Sequence, residues 1–389
     1  MKKTLLAAAL LAGFATAGVA QAETSVTLYG ILDTGYGYSQ MKYSHTNAAG
    51  VAYDAKTTSS GLKDGFLNGN RFGLKGSEDL GDGLRAIFQL EQGFNIGDGT
   101  FAAGTRQFHR QAYVGLASDN WGTFTMGRQY NFGDGYHDAS FGSSFGDTDK
   151  AFGAKSVRVD KMFKYETPDF AGFKAGIGYA AGQSVDRESV NGVAATAAAT
   201  DDRSNYLTVG LKYANGPIFA GATYDRVGSS GQVQNGWNTT TNAPQDAQYN
   251  VTNWMISGGY DFEVVKLGLG YGQDRNGKLN GMLGSVTNNP AARGFNVDGF
   301  KSHNYYVGLS APLGGGTAAV TWTRSSSNLD DVYNDQDNTY KTQNIYAAKY
   351  SYPLSKRTAV YAYGAYGTGI AYLDGQKGKE AGIGLNHKF

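Results

Sequence analysis

The chain contains no cysteine, so it can form neither a disulfide framework nor a thiolate metal site. It has five histidines, at positions 45, 109, 137, 303 and 387, and none of them follows the HExxH spacing of a zinc site. We therefore expect no metal and no cofactor. Outside the N-terminal segment the sequence has no apolar run of the roughly 18 residues that a membrane-spanning helix requires.

An excess of charge of either sign is also missing. Lys and Arg number 34 and Asp and Glu number 33, which gives a formal net charge of +1. Nucleic-acid-binding proteins carry a basic excess or a basic stripe. The sequence shows neither, and we expect no nucleic-acid partner.

Glycine and aromatic residues are abundant, with 57 Gly, 27 Tyr and 20 Phe against only 6 Pro. Average glycine usage is about 7% of residues, and this chain has about twice that. An outer-membrane barrel accounts for the mixture, because its strands alternate apolar with polar residues and its aromatic residues form girdles at both membrane interfaces. A secreted β-solenoid or adhesin is the alternative, but the sequence has no repeat of fixed period.

The N-terminus predicts export. A short basic segment precedes an apolar stretch over residues 4–19, and Ala20-Gln21-Ala22 has the small-x-small pattern of a signal-peptidase site. The apolar stretch is short for a membrane anchor, which needs roughly 20 residues. We expect residues 1–22 to be cleaved and residues 23–389 to pass through the periplasm and form a single barrel domain.

Alternating segments between turn signals predict sixteen antiparallel strands of an all-β transmembrane barrel, with the length that a tilted membrane strand needs. They lie near residues 25–39, 66–77, 83–95, 107–117, 121–130, 157–166, 171–181, 204–214, 217–227, 249–261, 263–274, 303–312, 316–325, 341–351, 357–367 and 380–389.

The connections between these segments are unequal. Turns within each pair are short, whereas those between pairs, such as 228–248 and 275–302, are long and polar; we expect a Gly/Ser-rich loop between the first two strands. Short periplasmic turns and long extracellular loops are typical of outer-membrane barrels. Sixteen strands enclose a lumen that side chains cannot fill, so the architecture predicts a water-filled channel.

Three internal segments and the C-terminus resemble the Gram-negative general porins, the last of them the beta-proteobacterial branch. They read NRFGLKGSEDLGDGLRAIFQLE (70–91), RQAYVGL (110–116), GTFTMGRQY (122–130) and GLNHKF (384–389). The resemblance implies a homotrimer of barrels in the outer membrane, in contact with lipids and lipopolysaccharide, with the third extracellular loop folded into each lumen.

That loop corresponds to residues 131–157. It combines five aromatic residues with Asp134, Asp138, Asp147 and Asp149. A loop that folds inward can pack its aromatic side chains against the barrel wall. A mobile outer loop is the alternative. The Pro-Glu-Phe-Gly sequence of many relatives is absent, so the carboxylate at the narrowest point is left open.

On the opposite wall the resemblance places Arg71, Arg110 and Arg158. Alternation independently turns Phe72 and Leu74 outward, which directs Arg71 and Lys75 into the lumen. The same reasoning directs Arg85 inward. Alternation leaves Arg110 open, because its neighbour Ala112 is small enough to face either way. For a strand arginine, a position at the membrane interface or rim is the alternative.

These features predict passive diffusion of ions and small hydrophilic solutes, with a mild anion preference, and no enzymatic activity. A sugar-preferring porin and a plugged, adhesive barrel are the alternatives. Tyr361, Tyr363 and Tyr366 could supply the aromatic track of a sugar channel, although we expect Tyr361 and Tyr363 to form an interface girdle. The C-terminal Phe389 resembles the signal read by the barrel-assembly machinery.

Overall fold

The computed structural model describes residues 24–46, 52–137, 157–183, 203–230, 234–238, 243–246, 250–278, 299–332 and 339–389. The signal peptide predicted over residues 1–22 lies outside them. No helix in these ranges is long and apolar enough to cross a membrane.

Strands make up most of the described chain. In the first half they are β1 (Ser25–Thr46), β2 (Ala52–Asp64), β3 (Arg71–Gly81), β4 (Leu84–Gly93), β5 (Gln111–Ser118), β6 (Gly122–Tyr130), β7 (Arg158–Glu166), β8 (Phe173–Gln183), β9 (Arg203–Asn215) and β10 (Ile218–Ser230).

In the second half they are β11 (Gln234–Asn238), β12 (Ala243–Asp246), β13 (Val251–Asp261), β14 (Lys266–Arg275), β15 (Lys301–Leu313), β16 (Gly316–Ser327), β17 (Gln343–Pro353), β18 (Thr358–Thr368) and β19 (Lys377–Lys388). A one-turn helix, α1 (Leu329–Val332), and a 3₁₀ turn (Ile370–Tyr372) lie in the connections of this half.

The wall is a closed antiparallel barrel. Successive strands pair from β3 to β10 and from β13 to β19, β10 pairs with β13, and β1 pairs with β19, which joins the two ends of the sheet. β11 and β12 form a separate hairpin. Because β2 and β3 both pair with β1 and together make one interrupted wall strand, the barrel has the sixteen strands predicted from the sequence.

The Gly/Ser-rich loop expected after the first strand is instead mostly sheet. β1 continues to Thr46 and β2 pairs with its upper half from Thr34↔Asp64 to Thr46↔Ala52. This part of the hairpin rises above the segment that the alternation identified. Its polar side chains lack the apolar alternation of a membrane strand, but the backbone hydrogen bonds of the ladder still hold it extended.

Alternation sets the two faces of the wall. On β13, Ile256 is exposed to the outside, whereas Asn253 and Met255 lie on the lumen face and are fully buried. The predicted alternation of apolar-out and polar-in is therefore present. Short turns join the pairs at one end; for example, Gly314 and Gly315 have φ of +56° and +83°, the left-handed values that a tight hairpin turn requires.

Tyr361 and Tyr363 do not form the interface girdle that we expected. Their neighbours Val360 and Tyr366 face outward, and both tyrosines face the lumen, where they are only 4% and 9% exposed. Phe66 covers them, with its ring centroid 4.6 Å from that of Tyr363. The small Ala359 did not identify the outer face, because alanine is tolerated on either side of a barrel wall.

Candidate functional site: the lumen between the third loop and the basic wall

The first seven residues of the third loop, 131–137, run along the inner wall. Phe132 is fully buried and Tyr136 is 4% exposed. Their rings lie over lumen-facing glycines, since a Cβ atom at Gly210 would stand 2.7 Å from Cβ of Phe132 and 2.8 Å from Cδ2 of Tyr136. Gly176 and Gly221 contact the same segment. Glycines on neighbouring strands thus form a recess that accepts these aromatic residues.

Polar contacts hold the same segment to β7 and to two strands that follow it in the sequence. The Tyr136 hydroxyl donates to Oε2 of Glu166 at 2.9 Å. The two ring nitrogens of His137 lie 2.7 Å from Oγ of Ser257 and 2.8 Å from Oγ1 of Thr223. Contacts with β7, β10 and β13 mean that the segment crosses the inside of the barrel rather than its rim.

Asn131 begins the loop in a fully buried position. Its Nδ2 donates to Oδ1 of Asp225 at 3.0 Å, and the Tyr206 hydroxyl donates to the same oxygen at 2.7 Å. The backbone N–H of Phe132 donates to Oγ1 of Thr208 at 3.2 Å. A buried carboxylate is stable only with such donors, so the entry to the loop has one favoured conformation.

Of the four loop carboxylates singled out from the sequence, Asp134 is described. It lies in the inward segment, within electrostatic reach of Lys164. Asp138, Asp147 and Asp149 lie outside the described residues.

On the lumen wall, Arg71 and Arg110 share one carboxylate. Nε of Arg110 is 2.7 Å from Oε1 of Glu91, and Nε of Arg71 is 3.8 Å from Oε2. The Tyr29 hydroxyl donates to Oε2 at 2.9 Å. Alternation had left Arg110 open; its contact with the lumen-facing Glu91 places its side chain in the lumen.

Tyr130 connects this pair with Arg158. Its hydroxyl accepts a hydrogen bond from Nη2 of Arg110 at 2.9 Å, and Cζ of Arg158 lies 5.0 Å from the centre of its ring. The geometry is that of a cation–π contact. The three arginines named from the sequence are therefore brought together around Glu91 and Tyr130.

Lys75 and Arg85 stand apart from this cluster. Lys75 lies on the face of Arg71, with Nζ 5.6 Å from the centre of the Tyr29 ring. Arg85 instead pairs with Asp119 at 2.9 Å, beside the short turns. Arg71 pairs with Gly93 of β4, and Gly93 lies eight residues beyond Arg85 on the same strand. At about 3.3 Å per residue, Arg71 and Arg85 are therefore separated by roughly 26 Å along the wall.

Sequence reasoning missed several charged neighbours. Arg106 and Arg128 both bind Asp160, at 2.7 and 2.6 Å, and so join the segment before β5 to β6 and β7. Lys164 and Lys212 donate to the carbonyls of Tyr130 and Gly135, both at 3.0 Å. A strand pattern identifies the face of each side chain, but these pairs depend on which strands and loops become neighbours.

His109 lies in the connection just before β5, next to the same arginines. Burial lowers its pKa to about 4, and the positive charges of Arg158, Arg110 and Arg128 act in the same direction. Its Nδ1 has no hydrogen-bond partner among the described residues. The imidazole is therefore neutral at neutral pH, and the cluster gains no charge from it.

The arrangement combines a closed membrane barrel, a loop segment, residues 131–137, that lies inside it, and a cationic cluster on the lumen wall. Among the described residues no group of three or more His, Cys, Asp or Glu side chains could hold a metal ion. A polar lumen with facing charges suits the passage of hydrated solutes. Fold and site together define a channel protein of the β-barrel class.

Comparisons with known proteins agree. The chain belongs to the Gram-negative porin family, whose model matches residues 7–369. It is 41% identical to an outer membrane porin protein of Bordetella pertussis and 29% identical to outer membrane porin protein 32 of Delftia acidovorans, each over the full length of both chains. The anion-selective porin from Comamonas acidovorans superposes with a TM-score of 0.65 at 23% identity, covering 94% of this chain and 100% of that one.

The resemblance stated from the sequence is thereby confirmed, as are the sixteen-stranded fold and the location in a Gram-negative outer membrane. The protein is a passive diffusion channel, and its family and fold are those of a channel rather than an enzyme.

Proposed function

We propose that the narrowest section of the channel lies between the inward segment of the third loop and the cluster of Arg71, Arg110 and Arg158, and that it gives the pore a mild anion preference. The observation that carries this proposal is the sharing of Glu91 by two arginines, because one carboxylate leaves the local charge positive. Lys75 extends the positive wall. Clustered arginines in a pore favour anions.

Asp134, with Asp138, Asp147 and Asp149, supplies the opposing charge. Carboxylates on the loop and guanidinium groups on the wall create a field across the section between them. Polar solutes align in that field and cross by diffusion. Because the carboxylates also attract cations, the anion preference is mild rather than absolute.

The test is a reversal-potential measurement on purified protein in a planar bilayer under a salt gradient. We expect a potential of the anion-selective sign for the native protein and a shift towards cation selectivity for Arg110→Gln. Arg85→Gln is the matched control, because it removes the same charge at the short-turn end of the wall, where Arg85 pairs with Asp119. A cation-selective native protein, or equal shifts in both variants, contradicts the proposal.

We also propose that the mature protein, residues 23–389, assembles as a homotrimer. Membership of the porin family supports this assembly, and the outer-membrane OmpT of Vibrio cholerae has been solved in a trimer form. Conductance steps in groups of three are the expected result in the same bilayer recordings. Outer-membrane lipids, lipopolysaccharide and, during biogenesis, the barrel-assembly machinery are the proposed partners, with Phe389 as the assembly signal.

The inward orientation of Tyr361 and Tyr363 bears on the sugar-preferring alternative. A sugar track needs aromatic faces open to the solute. Tyr361 is instead hydrogen-bonded to the buried Asp33, and Phe66 covers both tyrosines. These contacts favour a general channel over a sugar-preferring one.

A further inference from the structure

The connection between β18 and β19 folds back into the mouth of the barrel, at the end away from the short turns. We call its residues 369–376 the inward turn. Ile370, Ala371, Tyr372 and Leu373 are only between 1% and 5% exposed, whereas a loop that merely joins two strands runs over the protein surface. The turn is therefore part of the interior of the molecule.

Apolar packing places the inward turn against the lumen side of the wall. It forms one buried cluster with Ile345 of β17 and Ala365 of β18. The neighbours of these two residues, Tyr346 and Tyr366, are 50% and 45% exposed on the outer face, so alternation puts Ile345 and Ala365 on the lumen face. Met41 of β1 packs against the same cluster, and the turn therefore reaches from β17 to β1.

The backbone of the turn has a conformation that it would not adopt alone. Ala371 and Tyr372 have φ of +56° and +62°, left-handed values that are unfavourable for residues with a side chain. The segment before β17 holds them in place. The N–H of Lys341 donates to the carbonyl of Tyr372 at 2.6 Å, and the N–H of Asp374 donates to that of Thr339 at 2.9 Å. Such backbone strain persists only where the surroundings determine the conformation, and it is concentrated at functional sites.

A buried ion pair anchors the side chain of Tyr372. Nζ of Lys278 is 3.1 Å from Oδ2 of Asp274, with the two side chains 5% and 1% exposed, and it lies 5.4 Å from the centre of the Tyr372 ring. The Tyr372 hydroxyl shares a hydrogen bond of 2.6 Å with Oγ of Ser325. Buried charges need further hydrogen bonds, and side chains of three wall residues donate to Asp274: Asn253, Ser302 and Asn304. This sector of the mouth is therefore filled.

The filled sector faces the arginines across the lumen. The turn lies on the wall from β15 to β18, whereas the basic cluster spans β3 to β7. The inward segment of the third loop contacts β7, β10 and β13 in the sector between them. The open part of the mouth is therefore on the side of Arg71, Arg110 and Arg158.

We propose that the inward turn is an outer size filter of the channel. It narrows the extracellular mouth and directs entering solutes towards the arginine side, since the diameter of a pore limits what can enter it. Tyr372 is the residue on which the filter depends, because it joins the apolar cluster to the buried ion pair. The filter rests on the channel assignment and not on the proposed anion preference.

The test uses full-length protein in a planar bilayer, with polyethylene glycol of increasing size added to one side at a time. A polymer that enters the mouth lowers the conductance. The variant I370S/Y372S replaces two buried side chains of the turn with small polar ones and should release it. We expect polymers that the native protein excludes from the extracellular side to lower the conductance of this variant. Exclusion from the other side and the reversal potential should stay native.

Y352S/L354S is the matched control, because it removes the same kinds of side chain at the short-turn end, where Tyr352 and Leu354 are 43% and 59% exposed. It should exclude polymers from the extracellular side as the native protein does. Each variant is first checked for the heat-modifiable mobility of a folded barrel.

A second measurement leaves the turn in place. The chain has no cysteine, so A365C puts a single thiol beneath the turn and T57C puts one on the exposed upper part of the β1–β2 hairpin. We expect a charged thiol reagent to modify T57C readily and A365C far more slowly.

Equal polymer exclusion from the extracellular side by native protein and folded I370S/Y372S overturns the filter, and so does equal reactivity of A365C and T57C. The reversal potential separates this proposal from the anion preference. A cation-selective native protein contradicts the anion preference alone, whereas unchanged polymer exclusion in I370S/Y372S contradicts the filter alone.

Discussion

Glu91 is the counter-charge of two arginines, because both Arg71 and Arg110 face its carboxylate. Replacing it by Gln leaves the two guanidinium groups without this counter-charge. We predict that Glu91→Gln strengthens anion selectivity and moves the reversal potential towards the equilibrium potential of the anion in a salt-gradient recording.

Glu78→Gln is the control for this prediction. Glu78 is an exposed residue of β3 near the short turn, on the outward-facing side with Phe72 and Leu74, and its loss removes the same charge away from the lumen. An unchanged potential in Glu91→Gln, or the same change in Glu78→Gln, would show that Glu91 does not set the local charge.

His109 makes the stability of the barrel depend on pH. Its pKa is about 4 in the folded protein and about 6.5 in an unfolded chain, so the unfolded form takes up the proton first as the pH falls. The contribution of His109 to stability is complete above pH 6.5 and is lost progressively between pH 6.5 and about pH 4. We predict that His109→Gln reduces the fall in unfolding temperature across this window.

The measurement is the temperature at which the heat-modifiable band shifts, taken at pH 7 and pH 4.5. His387→Gln is the comparison, since that ring is partly exposed near the C-terminus and contacts Thr358 rather than the arginines. Parallel pH dependences for native protein and His109→Gln would exclude the role of the buried imidazole.

For single residues, the sequence predicted which face of a strand a side chain occupies wherever a large apolar residue stood next to it. Phe72 and Leu74 determined the direction of Arg71, and the structure agrees. Alanine is compatible with both faces of a barrel wall. Ala112 therefore left the direction of the Arg110 side chain undecided, and Ala359 led to the wrong face for Tyr361. Pairs such as Arg106 with Asp160 join distant parts of the chain and leave no local signal.

The position of segment 131–137 of the third loop depends on the recess that the wall glycines provide. A side chain at Gly210 would meet Cβ of Phe132 at 2.7 Å and Cδ2 of Tyr136 at 2.8 Å. We predict that Gly210→Val displaces the inward segment, destabilises the protein by about 1–3 kcal/mol, as overpacking does, and alters the single-channel conductance.

Gly258→Ala is the matched control, because the nearest atom to its added Cβ is the carbonyl oxygen of Phe219 at 3.6 Å. It should keep native conductance and unfolding temperature. Native conductance and stability in Gly210→Val would mean that the loop does not rely on this recess.

The strands that cross the membrane could be located from the sequence because the bilayer fixes both their length and their alternation. The upper part of the β1–β2 hairpin could not be predicted, because only strands inside the bilayer must show this alternation. It stands above the apolar band, where no lipid imposes a pattern, and its polar sequence does not differ from that of a loop. The inward course of residues 131–137 could be inferred from the aromatic residues of the loop, but the glycine recess that receives them could not.

For the molecule as a whole, stability requires that the first and last strands meet in register. β1 and β19 pair from Ile31↔Lys388 to Lys42↔Lys377. The buried Asp33 reinforces this seam, since the side chains of Tyr361 and Asn386 donate to its two oxygens. The alternating segments predicted a barrel, but this network needed the three-dimensional pairing of residues far apart in sequence.

Phe389 lies at the end of that seam. Its N–H donates to the carbonyl of Gly30 and its carbonyl accepts from the N–H of Gly30, both at 3.1 Å. Its ring covers Gly30 so closely that a Cβ atom there would clash with Cζ and Cε1. The residue therefore has a packing role in barrel closure in addition to its proposed role as an assembly signal.

Two variants separate these roles. Deletion of Phe389 removes both and should reduce the amount of assembled trimer without abolishing export. Gly30→Val keeps the C-terminal aromatic but displaces its ring and also presses on the carbonyl oxygen of Arg71, and we predict a lower unfolding temperature of the assembled protein. Gly258→Ala again serves as the control for a wall glycine. If Gly30→Val assembles and unfolds like the native protein while the deletion fails, Phe389 acts through recognition alone and the seam closes without its ring.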